Sequence, residues 1–257
     1  MPKYSINVSM MLREYPFLDR FKIAADAGFT GVDIQFPYDV PAAQIAKAVE
    51  SAGVEVVLIN LPAGDLIQGG RGLACDPDRK QEFQNGVRRA LAYVDALGNK
   101  RVNVLAGKID RNKEVQDHLD TLVENLEYTV DVLGPLGVTV MVEPVNGFDV
   151  PDYLLQTLSS TAQVIENTNS GKVKIQFDIY HRYRMKERIE TALEEYFSLI
   201  GHIQFADSPG RHEPGTGEIN FTEIFNKIDE LGYEDWVGAE YIPSKHTLET
   251  LTWFQRQ

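Results

Sequence analysis

Residues 138–143 read VTVMVE, 172–178 read KVKIQFD, 201–207 read GHIQFAD and 235–240 read DWVGAE. Each is a short apolar run that closes on oxygen-bearing side chains: Glu143, Asp178, Gln204 with Asp207, and Glu240. Short apolar runs of this kind mark strands buried on both faces, as in parallel sheets covered by helices. Where such strands close a barrel, their C-terminal ends gather at one mouth. The four ends therefore predict an oxygen-lined metal site.

The rest of the chain repeats the pattern. Strands are expected at 4–9, 31–36, 55–61, 101–106, 138–143, 174–178, 202–206 and 236–240. Helical patterns lie between them at 16–27, 42–52, 77–97, 113–133, 159–167, 186–199 and 221–231, with a last piece near 246–254. Phe17, Phe21, Ala24 and Ala25 share one helical stripe, as do Ile224, Phe225, Ile228 and Leu231. Several helices run into Gly28, Gly53, Gly98, Gly137 or Gly232, and glycine suits the left-handed position just past a helix end. Alternation of strand and helix without a composition break predicts an α/β fold, a single (β/α)8 TIM barrel over residues 1–257.

Composition narrows the function. At 43% apolar and 25% charged residues the chain is ordinary globular material. A formal charge of −13, with no basic cluster longer than Arg88–Arg89, argues against nucleic acid as a partner. No stretch approaches the roughly 18 apolar residues of a membrane span, so a soluble, cytoplasmic protein without a membrane partner is expected. Cys75 stands alone, which excludes an intrachain disulfide and a zinc–thiolate cluster; it is read as filling space in a loop.

Two glycine- and proline-rich stretches, 62–78 and 207–220, follow strands and so belong to the mouth as candidate lids. Pro144 holds Glu143 extended where the strand leaves the barrel, although a strand-end glutamate can also be a solvated loop residue. Asp178, in FDIYH, reads equally as the N-cap of a following turn. Gln204 lies between Ile203 and Phe205, where alternation turns it inward; a buried amide needs partners, either a cation on its carbonyl or a neighbouring strand. Two glutamates, an aspartate and an amide make an all-oxygen set that suits Mg2+ or Mn2+ rather than zinc. His181 would sit on the mouth loop, Arg211 and His212 lie in the second glycine-rich stretch, and His202, near a strand start, is read as structural. PGTGEI lacks the lysine-serine ending of a phosphate loop, and G-x-S-x-G is absent.

Segments 7–21 (NVSMMLREYPFLDRF), 36–40 (FPYDV), 60–65 (NLPAGD), 71–75 (RGLAC), 142–153 (VEPVNGFDVPDY), 174–181 (KIQFDIYH), 201–220 (GHIQFADSPGRHEPGTGEIN) and 236–241 (WVGAEY) resemble, in order, the hydroxypyruvate isomerase family. That family is a xylose-isomerase-like branch of the TIM barrels that includes 2-oxo-tetronate isomerases. The resemblance implies an aldose–ketose type isomerisation of a small 2-oxo acid, hydroxypyruvate to tartronate semialdehyde, through a metal-stabilised enediolate. In it Glu143 and Glu240 match the proton donor and acceptor. Glu143, Asp178, Gln204 and Glu240 match the metal-binding set of related isomerases and epimerases, which commonly carry histidine where this chain has Gln204. His181 and Arg211 match substrate contacts in the sugar epimerases. A 2-oxo-tetronate isomerase is the near alternative. A sugar 3-epimerase, an endonuclease-IV-like phosphodiesterase and a non-catalytic barrel that binds a small acid are more distant ones. By analogy with other barrels a homo-oligomer is expected.

Overall fold

The computed structural model describes residues 2–256; Met1 and Gln257, included in the expected domain, lie outside the described residues. Eight parallel strands close into a barrel in sequence order: β1 (Lys3–Asn7), β2 (Gly31–Ile34), β3 (Glu55–Asn60), β4 (Arg101–Val104), β5 (Thr139–Val142), β6 (Val173–Asp178), β7 (Ile200–Phe205) and β8 (Trp236–Ala239). Closure is made by β1 against β8, with Lys3 opposite Trp236 and Ile6 opposite Ala239. The outer ring comprises α1 (Arg20–Asp26), α2 (Ala42–Ala52), α3 (Lys80–Leu97), α4 (Val115–Leu133), α5 (Leu158–Asn167), α6 (Ile179–Arg184), α7 (Ile189–Tyr196) and α8 (Phe221–Glu230). The last helical piece expected near 246–254 forms as a 3-10 run over Thr247–Arg256.

Sequence logic is visible in the packing. Helix α8 starts because Asn220 accepts the Glu223 N–H, and it buries Phe221, Ile224, Phe225 and Ile228 toward the barrel. Each such side chain contributes about 1.5–3 kcal/mol by leaving water. Phe225 and Trp253 meet Phe205 edge to face, sealing the outer side of β7. The five anticipated glycine stops all adopt positive φ.

Two expectations are corrected. A helix outside the expected set, α6, starts directly on β6, while the helix expected over 186–199 forms as α7 with a closing 3-10 turn over Phe197–Leu199, after a break at Lys186, whose φ is +61°. His181 therefore rides on a short helix rather than on a loop. Asp207 is no mouth ligand; its carboxylate accepts the backbone N–H groups of Ser208, Gly215, Gly217 and Ile219 at 2.8–3.1 Å. Four such bonds brace the 207–220 stretch at the mouth.

Candidate active site

Glu143 and Glu240 each stand one residue beyond their strands, β5 and β8, and line one cavity of about 360 Å3 together with His181 and Arg211. Asp178, the last residue of β6, lies behind them in contact with His181 and Arg211. Gln204 on β7 completes the ring. Strand ends thus bring together all six residues singled out from the sequence.

The two glutamates are held alike. Glu143 Oε2 accepts from Asn103 Nδ2 at 2.9 Å and Gln176 Nε2 at 3.0 Å. Glu240 Oε1 accepts from Asn7 Nδ2 at 2.7 Å, Gln204 Nε2 at 3.1 Å and Gln35 Nε2 at 3.4 Å. Gln176 also donates to Gln204 Oε1 at 2.7 Å, so a run of amides links one glutamate to the other. Each carboxylate has one oxygen clamped by amide N–H groups; the second oxygen of Glu143 faces the cavity, and that of Glu240 accepts from Arg211 at 2.8 Å. Asn7, Gln35, Asn103 and Gln176 were not among the expected site residues. Gln176 was legible, since it sits between Ile175 and Phe177 as Gln204 sits between Ile203 and Phe205. Asn7, between Ile6 and Val8, and Asn103, between Val102 and Val104, carry the same signal, an amide set among apolar strand residues.

Asp178 unites both readings of its position. Its Oδ1 accepts the Tyr180 N–H at 2.8 Å as the cap of α6, while Oδ2 lies 3.4 Å from Arg211 and 3.6 Å from His181 Nε2. Arg211, at φ +55°, bridges that oxygen to Glu240 Oε2 at 2.8 Å. Asn146 fixes His181: its Oδ1 accepts the N–H groups of Phe148 and Asp149, so its Nδ2 donates to His181 Nδ1 at 2.7 Å. Nδ1 is then the acceptor, and Nε2–H points between Asp178 and Glu143, 3.6 and 3.8 Å away.

Burial in the barrel sets the ionisation. Burial first, then the charges of Glu240 and Asp178, holds the Glu143 carboxyl well above its ordinary range. Burial also raises Asp178, against the pull of Arg211. Glu240 is pushed up to about 7 by burial, with Arg211 opposing and Asp178 and Asp33 adding to the rise. Burial and the neighbouring Arg211 and Arg182 hold His181 well below its usual value, hence neutral. Three buried carboxylates facing one guanidinium make a cavity short of positive charge.

Glu143, Asp178 and His181 place one potential ligand atom each within 4.8 Å of one another. The His181 tautomer presents N–H on that side, so the imidazole is a hydrogen-bond donor there rather than a ligand. The fitting set is the second oxygens of Glu143, Asp178 and Glu240; those of Asp178 and Glu240 face Arg211, so a cation would replace that guanidinium against them. The Gln204 carbonyl can join through the lone pair that Gln176 does not use. An all-oxygen set of this charge fits a hard divalent cation. Cys75 takes no part: it is buried within the 62–78 stretch, and burial pushes its thiol up to about 12.

Comparison with known proteins agrees with this architecture. Residues 21–257 match the family model described as xylose isomerase-like TIM barrel. The chain is 42% identical over 253 residues to hydroxypyruvate isomerase of Escherichia coli (strain K12), covering 98% of each chain. It is 37% identical over 255 residues to 2-oxo-tetronate isomerase of Cupriavidus necator, covering 99% of this chain and 98% of that protein. A solved structure described as AP endonuclease, family 2, from Brucella melitensis superposes with a TM-score of 0.96 at 37% identity, covering 100% and 99% of the two chains. The 3-keto-D-glucoside 4-epimerase of E. coli, at 20% identity and TM-score 0.84 over 100% of both chains, shares the fold. The chain belongs to the xylose isomerase-like TIM barrel family, in the hydroxypyruvate isomerase branch, and is an isomerase by class. No helix among the described residues is long and apolar enough to cross a membrane.

Proposed function

We propose that this enzyme interconverts hydroxypyruvate and tartronate semialdehyde, with Glu143 and Glu240 as the proton-transferring pair. The observation that carries the reading is the shared cavity lined by both glutamates, each with one oxygen fixed by amides and the second turned toward the other lining groups, Arg211 among them. One carboxylate takes a proton from C3 of hydroxypyruvate to give the enediolate, and the other acid delivers a proton to C2. The hydroxyl proton moves from the C3 oxygen to the C2 oxygen, leaving an aldehyde at C3 and an alcohol at C2. Such a pair needs one ionised and one protonated member near neutrality. In the cation-free cavity Glu240, at about 7, is the readier to ionise and Glu143 is held well above its ordinary range; a cation held by both would lower both.

Glu143, Asp178, Gln204 and Glu240 would hold Mg2+ or Mn2+. When bound, such a cation supplies Lewis-acid stabilisation of negative charge on the substrate oxygens. His181 directs its Nε2–H at a substrate oxygen, and Arg211 orients Glu240 and Asp178 while offering its remaining N–H groups to substrate. In this reading the whole chain is one barrel domain acting in the cytoplasm on a small 2-oxo acid. A 2-oxo-tetronate uses the same proton transfer with one more carbon. The phosphodiesterase reading suits the cavity poorly, because multi-zinc sites draw on several histidines and His181 is the one histidine in the lining. The deciding experiment compares kcat/KM for hydroxypyruvate and 2-oxo-tetronate, with solvent-deuterium incorporation followed in parallel. Glu143→Gln should lower turnover by about 10^2–10^4-fold in a folded protein. Near-normal turnover would remove Glu143 from the proton transfer.

A further inference from the structure

We propose that Lys108 is the carboxylate anchor of the cavity, the group that recognises the acid end of the substrate; this rests on the 2-oxo acid reading above. The lining carries Glu143, Asp149 and Glu240, so an anionic substrate enters only if a cation meets it. Lys108 and Arg211 are the lining cations among the described residues, and His181 is held neutral. Arg211 is already committed to Glu240 at 2.8 Å and Asp178 at 3.4 Å. Lys108 Nζ donates to the Gly69 carbonyl at 3.1 Å, and no carboxylate among the described residues pairs with it. An ammonium has three N–H donors, so two remain for an incoming carboxylate.

The lysine is placed by built backbone. Gly107, just before it, has φ +94°, and a Cβ there would stand 2.6 Å from the Arg71 carbonyl oxygen. Around that turn the Lys108 N–H donates to Arg71 O at 2.8 Å, the Ile109 N–H to Asp152 O at 3.0 Å, and the Leu154 N–H to Gly107 O at 2.9 Å. Residues 107–109 are thereby stitched to the loops after β3 and β5, and Lys108 extends over the cavity from a fixed base. Anchoring C1 there leaves C2 and C3 for Glu143 and Glu240. It also explains how a barrel of sugar-isomerase type comes to prefer an acid: the charge is recognised at the rim, apart from the proton-transfer pair.

The test uses the full chain as Lys108→Met, which keeps an apolar stem of similar length, and Lys108→Arg, which keeps the charge. Binding of glycerate, which cannot be isomerised, is measured by calorimetry, and hydroxypyruvate kinetics are measured alongside. Lys108→Met should weaken glycerate binding and raise the hydroxypyruvate KM on the order of 10- to 100-fold with kcat little changed. Lys108→Arg should recover most of the loss. Unchanged glycerate affinity in Lys108→Met, or a fall in kcat at constant KM, overturns the anchor. Glycerate binding that depends on Lys108 in a protein unable to isomerise hydroxypyruvate leaves the anchor standing and removes hydroxypyruvate as the substrate.

Discussion

Replacing Glu240 with glutamine should stabilise the cation-free protein, and by an amount that depends on pH. Burial raises the Glu240 carboxyl from 4.5 to about 7 even with Arg211 beside it. At about 1.4 kcal/mol per pH unit, ionising that group in the folded protein costs about 3 kcal/mol more than in the unfolded chain. The folded state binds the extra proton between the two values. Stability from this group is therefore fully present below 4.5 and is lost as pH rises through about 7. Glutamine imitates the protonated acid: its carbonyl can keep the bonds from Asn7 and Gln204, although its amide nitrogen then faces Arg211. Urea unfolding of parent and Glu240→Gln in chelator, across this range, should give nearly equal stabilities at the acid end. The variant should gain up to about 3 kcal/mol at pH 8, less whatever the contact with Arg211 returns. Saturating Mn2+ should reverse the order, because the parent gains binding free energy that the variant largely lacks. A stability difference independent of pH would refute the argument that the cavity is short of positive charge.

Chelation should abolish most activity, with Mg2+ or Mn2+ restoring it. Any residual activity of the cation-free enzyme should fall as pH drops through about 7, where Glu240 takes up its proton, and added cation should shift that limb to lower pH. Gly107→Ala, forced into positive φ with its Cβ against Arg71 O, should lose about 1–3 kcal/mol of stability and raise the substrate KM, read by thermal unfolding and kinetics. Arg182 is fully buried and donates to the carbonyls of Pro144 and Gln156 and to Glu187. Arg182→Met should cost roughly 3–5 kcal/mol in urea unfolding, since it leaves those acceptors unpaired behind Glu143.

The barrel is written in the sequence because its two signals are strong and local: apolar runs for strands buried on both faces, and glycine where helices turn back. The polar residue that closes each of the last four runs made the site legible as well, since the end of a barrel strand has only one place to point. What escaped notice has physical reasons. Helix α6 is six residues long, too short for a periodic stripe, and its start is masked by the strand it continues. Asp207 lies two residues past β7 where Glu143 lies one past β5, and only the folded 207–220 segment shows its carboxylate turned onto backbone N–H groups. Asn7 and Asn103 clamp glutamates that lie 233 and 40 residues away in sequence, a proximity no local pattern encodes. Lys108 lies four residues past the end of β4, in a turn whose direction depends on Gly107.

The amide clasps come chiefly from the staves of the barrel, Asn7 from β1, Asn103 from β4, Gln176 from β6 and Gln204 from β7. Lys108 belongs to the surrounding rim, whereas Arg211 reaches inward to Glu240 and Asp178. In the proposed mechanism the clasped groups that would move a hydrogen are thus set apart from the lysine that would meet a new compound first. A lineage with this division can change its diet by editing a few rim positions, while the inherited engine beneath keeps its settings.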